Sequence, residues 1–275
     1  MKKNKVVLKV ICYLFASAMA LIFLFPLFWT LITSFKSYRM AFAQPPVFFP
    51  PIDFSNYVSY LSRGDFMLCL RNSLVVTLVS ASVSVVLGVL AAYALVRGNL
   101  RGGNAMAMFM LASRFVPPVA TVIPMYMIYR KIGLYDTLPG LILLHLAMDI
   151  PYVVWMMRGF FQEVPLAVEE ASWIEGCSRV GSLARIVIPM SKAGLAATGV
   201  LTMIFSWNEF LFAMIMGGVR TKTLPISMAM YMGETGIEWH MMATAGILVL
   251  LPALIFSILV HRNLGAGLSF GAVKG

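Results

Sequence analysis

Long apolar stretches restrict what this chain can fold into more than any other feature. They lie at roughly 10–34, 72–96, 105–128, 138–157, 193–216 and 239–260, and each is close to the 20 residues that a helix needs to cross a bilayer. Only 12% of the 275 residues are charged, against about a quarter in a soluble domain. The sequence therefore predicts an all-α integral membrane protein, with six transmembrane helices in a single domain over 1–275.

The positive charges predict the orientation of these helices. With both termini inside, twelve lysines and arginines fall in inner segments and eight in outer ones, although Arg130 and Lys131 lie outside. The positive-inside rule therefore favours two cytoplasmic termini. The first stretch continues past 18–20, which resemble a signal-peptide cleavage site, so we expect an uncleaved anchor.

The lysines and arginines of the loops also account for the net charge of +10. The sequence has no basic stripe interleaved with aromatic residues, which would indicate nucleic-acid binding.

The cysteines and histidines predict neither a disulfide nor a metal site. The three cysteines fall in different parts of the predicted topology, at Cys12, Cys69 and Cys177. The three histidines are scattered without the spacing of metal ligands, at His145, His240 and His261. We therefore expect no metal in this chain.

Spans three and five depart from the composition of simple anchors. Span three contains Pro117, Pro118 and Pro124, each of which removes a backbone donor and bends a helix. Span five begins with small residues at 193–199, which allow neighbouring helices to approach closely. Irregular backbone at membrane depth is tolerated where protein or a water-filled cavity covers it. These features indicate either a transport pathway or helix packing alone.

Ionisable residues within predicted spans are costly and usually face protein or water. One interpretation is a polar pathway for a hydrophilic substrate, in which amides and carboxylates bind hydroxyl groups and aromatic rings stack on a sugar. Its candidate lining residues are Arg114, Tyr126, Asp149, Tyr152, Trp207, Asn208 and Glu209. The alternatives are an interhelical pair of Arg114 with Asp149, or span boundaries that are misplaced.

The inner loop at 158–192 is polar, and its pattern predicts a helix-turn-helix. Pro165 suits the first turn of a helix, and Gly176 offers a stop because glycine adopts the left-handed conformation easily. Apolar residues recur at helical spacing, at Val164, Ala167, Val168, Ala171 and Ile174. We expect this stripe to face the membrane domain, and Glu163, Glu169 and Glu170 to point outward. A second short helix should contain Leu183, Ile186 and Val187, with Pro189 opening span five.

The spacing within this loop resembles a known family. The residues that carry the resemblance are Glu170, Ala171, Ser172, Gly176, Ile186 and Pro189. They match the EAA loop of binding-protein-dependent ABC importer permeases, with Ser172 in place of an alanine and Ile188 in place of a leucine. The stretches at 25–36, 132–141, 206–210 and 265–275 are similar to sugar-importer permeases of the maltose-transporter type, and the tail is similar to that of the second permease of such heterodimers. The resemblance covers nearly the whole chain and implies the type I ABC importer fold.

What the resemblance implies is a subunit that transmits movement rather than an enzyme. The helix around Glu163–Gly176 would be a coupling helix in a cleft of an ATP-hydrolysing subunit, where Glu170 would pair with a basic residue. Lys274 and Gly275 would reach between two such subunits. ATP and magnesium would bind only there, because this chain lacks the glycine-rich loop and lysine that hold phosphates. A second permease subunit and an extracytoplasmic solute-binding protein would complete the complex in a prokaryotic cytoplasmic membrane.

The substrate implied is a sugar, oligosaccharide or polyol. Direct contact with it stays open, because in the maltose transporter the partner permease makes the membrane-site contacts. The alternative function is a secondary transporter driven by an ion gradient, with Arg114, Asp149 and Glu209 as proton-relay groups. That alternative leaves the inner loop unexplained.

Overall fold

The computed structural model describes residues 2–63, 65–233 and 236–264, and this part of the chain is mostly helical. The helices, in chain order, are α1 (Lys2–Ser34), α2 (Tyr38–Ala41), α3 (Ser55–Ser62), α4 (Phe66–Arg97), α5 (Gly103–Ser113), α6 (Pro118–Ile132), α7 (Leu138–Glu163), α8 (Leu166–Ile174), α9 (Arg179–Ser182), α10 (Ile188–Met190), α11 (Lys192–Trp207), α12 (Leu211–Met216), α13 (Leu224–Ala229) and α14 (Trp239–Leu264). A π-helical turn, Leu183–Val187, joins α9 to α10. Strands β1 (Met232–Gly233) and β2 (Gly236–Ile237) form a short antiparallel hairpin. The predicted all-α class is confirmed.

Four helices in the described part of the chain are long and apolar enough to cross a membrane. They are Lys9–Ser34, Phe66–Arg97, Leu138–Glu163 and Trp239–Ile258. Two further pairs of helices meet this criterion only together, and each pair is bent by more than 40°: 91° for α5 with α6, and 85° for Arg179–Met190 with α11. Counting each bent pair as one span gives six, the number that the sequence predicts.

The third predicted span is broken where its first two prolines lie. Helix α5 ends at Ser113, and Pro118 occupies the first turn of α6. Because Pro118 disfavours helical backbone at the residue before it, Pro117 adopts ψ 125° and the chain turns between the two helices. Pro124, by contrast, lies inside α6. Pro117 and Pro118 therefore mark one break between helices, whereas Pro124 is accommodated within a helix, so the three prolines do not act alike.

The fifth predicted span, 193–216, is not one helix. Helix α11 ends at Trp207, three residues are non-helical, and α12 begins at Leu211. The break occurs because the Glu209 carboxylate accepts hydrogen bonds from the backbone N–H groups of Phe212 and Ala213, at 2.8 and 2.9 Å, and so starts a new helix. The expected start at Pro189 is also shifted, since that residue lies in α10.

The described helices belong to two compact units. One unit comprises Met1–Phe66 with Ser227–Leu250, and its core contains Tyr60, Tyr231 and Met241. Within it, the hydroxyl groups of Tyr60 and Ser227 lie 2.6 Å apart.

The second unit comprises Met67–Ile226 with Leu251–Gly275, and α7 packs there against α11 and α5. Glycine permits two close approaches to α7. A Cβ at Gly88 would lie 2.5 Å from Val153, and one at Gly194 would lie 2.3 Å from the ring of Phe160. The expectation that small residues at the start of span five allow close helix approach is thus confirmed at Gly194.

Candidate coupling surface and interior polar cluster

Helix α8 is short and has defined ends. Pro165 precedes its first residue, Leu166, and Glu175 follows its last, Ile174. Gly176 then adopts φ +88°, a left-handed conformation that a side chain disfavours, so the chain reverses there. The predicted stop at Gly176 is confirmed. The stretch from Arg179 to Met190 follows as a second helical segment, with Leu183 and Val187 buried.

The inner face of α8 is anchored by a buried ion pair. Glu169 is fully buried, and its Oε1 accepts a 2.6 Å hydrogen bond from Nε of Arg97, the last residue of α4. The hydroxyl of Tyr93 donates to Oε2 at 3.0 Å. Arg97 also donates to the backbone carbonyls of Phe161 and Val164, at 3.2 and 2.6 Å. One arginine therefore joins the end of α4, the end of α7 and α8.

Hydroxyl groups join α8 to the segment that follows it. Ser172 Oγ donates to the carbonyl of Glu169 at 2.7 Å and lies 3.2 Å from Ser182 Oγ. The Tyr93 hydroxyl is also 3.3 Å from the carbonyl of Arg179, whose guanidinium lies over the ring of Trp173. These contacts hold the helix-turn-helix as a unit against α4.

The outer face of α8 is apolar with one acid in its middle. Leu166, Glu170 and Ile174 are four residues apart, so they lie on one side of the helix, and all three are exposed. Ile174 is 88% exposed, which is unusual for a large aliphatic side chain. Glu170 forms no hydrogen bond or ion pair with the described residues.

The orientation expected for this helix is wrong. Of the predicted inward stripe only Val164 is buried, whereas Ala167, Val168, Ala171 and Ile174 are exposed. Glu169, expected to point outward, is the most deeply buried residue of the helix. The physical reason is Arg97: its guanidinium at the end of α4 supplies a partner for one carboxylate, so a salt bridge rather than an apolar stripe forms the inner contact.

The other residues of the EAA resemblance take different environments. Ser172 is buried, Gly176 and Pro189 are exposed, and Ile186 is half-buried. Their spacing therefore includes positions that hold the loop together as well as positions that are open to a partner. Lys274 and Gly275 lie outside the described residues.

A polar cluster lies inside the second unit, where α4, α7 and α11 meet. Ser206 Oγ is 3.0 Å from Ser80 Oγ and 2.7 Å from Nδ1 of His145, and all three residues are buried. Nε2 of His145 is 3.8 Å from Oε2 of Glu209. The cluster thus connects three helices through hydroxyl and imidazole groups, with the Glu209 carboxylate nearby.

Several residues predicted to line a pathway serve the fold in this structure. Glu209 caps α12, as described above, and Asn208 Nδ2 donates to the carbonyl of Ile204 at 2.9 Å, although the Asn208 side chain is exposed. Trp207 is 1% exposed and packs on Phe256, so it offers no ring face for stacking. Tyr126 packs edge-on against Tyr135.

Arg114 and Asp149 do not form the predicted ion pair among the described residues. Arg114 is exposed, donates from Nη1 to the carbonyl of Met148 at 2.7 Å, and lies 5.2 Å from the ring centroid of Tyr152 and 5.7 Å from that of Phe205. Asp149 is buried, and its Oδ2 has no hydrogen-bond partner in the described part of the chain. The arginine is satisfied by a carbonyl and two rings instead of a carboxylate.

Three residues that matter here were missed by sequence reasoning. Arg97 and Tyr93 lie at the end of a span, where a basic residue is usually interpreted as an orientation signal. His145 is one of three histidines whose spacing indicates no shared site. The spacing of Tyr93 and Arg97, four residues apart, places them on one face of α4 and is the signal that was available. No spacing in the sequence links them to Glu169.

The chain is similar in sequence to known proteins. The family model described as "Binding-protein-dependent transport system inner membrane component" matches residues 84–269. The chain is 32% identical over 266 residues to the probable ABC transporter permease protein y4oR of Sinorhizobium fredii, covering 97% of this chain and 96% of that protein. It is 32% identical over 228 residues to the trehalose transport system permease protein SugB of Mycobacterium tuberculosis, covering 82% and 83%.

A solved structure shares the fold. A chain of a bacterial ABC transporter involved in the import of the acidic polysaccharide alginate superposes with a TM-score of 0.77. The match covers 94% of this chain and 97% of that chain at 22% sequence identity. At this identity the likeness concerns the fold alone.

Proposed function

Because the chain belongs to the family of binding-protein-dependent transport system inner membrane components, we propose that it forms one membrane-spanning part of an ATP-driven importer for a carbohydrate. The chain is a transport subunit and not an enzyme, and ATP hydrolysis resides in a separate subunit. Membership in this family gives no support to the ion-gradient transporter that the sequence left as an alternative.

The exposed face of α8 is the surface proposed to bind the ATPase subunit. The observation that supports this most strongly is that Glu170, an exposed acid between Leu166 and Ile174, has no partner among the described residues. Apolar contacts around a single charge suit a specific and reversible dock, because the charge fixes the register while the apolar groups supply contact area. A basic residue on the ATPase is the partner that Glu170 would select.

The buried face of α8 supports a mechanism for coupling. Arg97 joins α8 to the ends of α4 and α7 through Glu169 and two backbone carbonyls. A displacement of α8 by the ATPase would therefore move both long helices instead of deforming a loop. Nucleotide-driven closure of the ATPase would in this way bias the spans between inward and outward openings.

The complex proposed around this chain contains a second permease subunit, two ATP-binding subunits and an extracytoplasmic solute-binding protein. It lies in a prokaryotic cytoplasmic membrane with both termini in the cytoplasm, where α8 and the tail residues Lys274 and Gly275 meet the ATPases. ATP and magnesium bind on those subunits. The positive-inside bias supports this orientation.

The carbohydrate class is supported by the resemblance to sugar-importer permeases and by a relative named for trehalose transport. Among the predicted lining residues, Arg114 and Asn208 have exposed side chains and are the ones we propose to face the pathway. Tyr152 lies half-buried beneath Arg114 and adds an aromatic surface there. An arginine beside an aromatic ring suits a hydroxylated substrate, and an exposed amide adds a further donor and acceptor.

The test is the ATPase activity of the purified complex in proteoliposomes, measured with and without its solute-binding protein across a panel of sugars and polyols. We expect stimulation by the binding protein loaded with one class of carbohydrate. Stimulation by a non-carbohydrate solute alone would overturn the substrate class but not the coupling mechanism. Transport in the absence of any ATPase subunit would overturn both.

A further inference from the structure

A cavity of about 490 Å³ lies within the unit that contains α1 and the start of α14. Trp29 and Thr33 line it from the end of α1, Lys36 lines it from just beyond that helix, and Trp239 and Met242 line it from α14. The two helix ends are in direct contact, since the hydroxyl of Thr244 donates to the carbonyl of Ser34 at 3.3 Å. The motif at 25–36 that helped to identify the family therefore builds one wall of a cavity for which the coupling mechanism gives no role.

Lys36 is a buried cation without a counter-charge. Its side chain is 2% exposed, and the described residues provide no carboxylate within ion-pair distance. Its Nζ lies 3.9 Å from the ring centroid of Trp29, a contact that favours the charged form. Burial lowers the pKa of Lys36 from its ordinary value, because desolvation disfavours the charged form. An anion in the cavity would supply a counter-charge.

A second potential donor belongs to a residue that lines the same cavity. Thr33 is 8% exposed, and its Oγ1 has no hydrogen-bond partner in the described part of the chain. The backbone next to both residues is held in place, because the amide of Asn56 donates to the carbonyls of Ser34 and Lys36 at 2.8 and 2.9 Å. An ammonium and a hydroxyl group are thus presented on a fixed backbone to an occupant that accepts hydrogen bonds.

The position of the cavity relative to the apolar helices identifies the source of the anion. The apolar segment Lys9–Ser34 ends at the cavity, and Trp239 is the first residue of the last apolar helix. Tryptophan and lysine at the ends of membrane helices lie at the depth of the lipid headgroups. The side chains of α1 just below, including Phe25 and Leu27, are exposed and apolar. A ligand here would have its anionic group at Lys36 and its apolar part along α1.

We propose that this cavity binds the phosphate of a phospholipid headgroup, with Lys36 as the ion-pair partner and Thr33 as a hydrogen-bond donor. The two tryptophans flank the headgroup, and the acyl chains follow the apolar surface of α1. A neutral sugar would leave the charge of Lys36 uncompensated, which favours the anionic ligand.

The experiment measures phospholipid bound to the purified, assembled transporter after delipidation and titration with phosphatidylglycerol, using native mass spectrometry. Lys36→Met removes the charge and keeps most of the volume. Lys131→Met is the matched control, because Lys131 is exposed and does not line the cavity. We expect Lys36→Met to bind the lipid at least tenfold more weakly than the control, and Thr33→Val about fivefold more weakly, since hydrogen bonds to charged groups are the stronger ones.

Equal retention of lipid by Lys36→Met and the Lys131→Met control would overturn the site. Competition with inorganic phosphate separates a lipid headgroup from free phosphate as the source of the anion. If millimolar phosphate displaces the lipid fully, the cavity binds a free anion and the lipid proposal is overturned. If the lipid stays bound, the proposal is supported. Should Lys36→Met fail to assemble, the Thr33→Val variant decides the same question by the same comparison.

Discussion

The proposed coupling segment, residues 158–192 around α8, and the polar cluster around His145 both concentrate polar side chains in an apolar chain, but these side chains are used in opposite ways. In the cluster every identified contact of Ser206, His145 and Glu209 is internal. In the coupling segment two adjacent acids divide the tasks, because Glu169 is buried against Arg97 while Glu170 is exposed. The difference shows that a carboxylate in such a chain is buried where its neighbours supply donors and stays exposed, open to a partner, where they do not.

The largest effect is expected when the inner acid of the coupling segment is removed. Glu169→Ala leaves Arg97 partly buried without its partner, and breaking a buried pair in this way costs about 3–5 kcal/mol. The midpoint of thermal unfolding of the permease purified without the ATPase subunit measures this loss, because ATPase binding would itself change the midpoint. Glu170→Ala is the matched control, and its midpoint should stay near that of the wild type, because surface changes alter stability by about 0.5 kcal/mol or less. Equal midpoints for the two variants would refute the distinction between them.

Substitution of the exposed acid Glu170 should affect ATPase binding and leave the stability of the permease unchanged. Glu170→Lys should leave the permease inserted and folded, but it places like charges together in the dock and should weaken attachment of the ATPase subunit at least tenfold. Co-purification of the ATPase with the tagged permease measures the attachment, and uptake should be lost in parallel. Glu238→Lys provides a charge reversal at another exposed acid. Undiminished uptake by Glu170→Lys would contradict the docking role.

Substitutions of Glu209, in the interior polar cluster, should lower stability by a smaller amount and leave transport specificity unchanged. Glu209→Ala removes the cap of α12 and should lower stability by about 1–2 kcal/mol, the usual cost of a lost helix cap. Glu209→Gln keeps an acceptor and should lose less. The substrate concentration that half-maximally stimulates the ATPase should be unchanged in both variants. A shift of that concentration by tenfold or more would instead place Glu209 in the substrate pathway.

The smallest effect at neutral pH concerns a third carboxylate, Asp136, in the loop before α7. Burial opposes its ionisation, but hydrogen bonds from the Thr221 hydroxyl and from backbone N–H groups outweigh burial and lower its pKa below the ordinary value of 3.8. Its stabilising contribution is therefore complete above about pH 4 and is lost as the pH falls through the lower folded pKa.

The acid-induced loss of stability gives the measurement for Asp136. Asp136→Asn should lower the unfolding midpoint at pH 7 and reduce its further decline below pH 4, because the variant has no carboxylate to protonate. Glu238→Gln is a control at an exposed acid. An unchanged pH profile in Asp136→Asn would show that these hydrogen bonds do not favour the ionised form.

The long helices and the approximate position of α8 were predictable from sequence because they follow from local patterns. Apolar length gives the spans, Gly176 gives the turn after α8, and the proline pair at 117–118 gives a departure from regular helix. Each depends on residues within a few positions of one another.

What the sequence could not provide depends on long-range partners. The choice between Glu169 and Glu170 is made by Arg97, which is 72 positions away from Glu169. The break after Trp207 depends on whether Glu209 bonds the backbone ahead of it or faces a pathway, and both are compatible with a polar residue in an apolar run. Arg114 and Asp149 looked complementary, but a carbonyl and two aromatic rings satisfy the arginine.

The central claim is that the exposed face of α8 binds the ATPase, and protection of a single cysteine tests it most directly. Cys12 and Cys177, which are not buried, are replaced by serine, and a cysteine is then introduced as Ile174→Cys or, as control, Lys131→Cys. Maleimide labelling is compared in the permease with and without bound ATPase. The account predicts that the ATPase protects Ile174→Cys and leaves Lys131→Cys reactive. Equal labelling of Ile174→Cys in both states would contradict it.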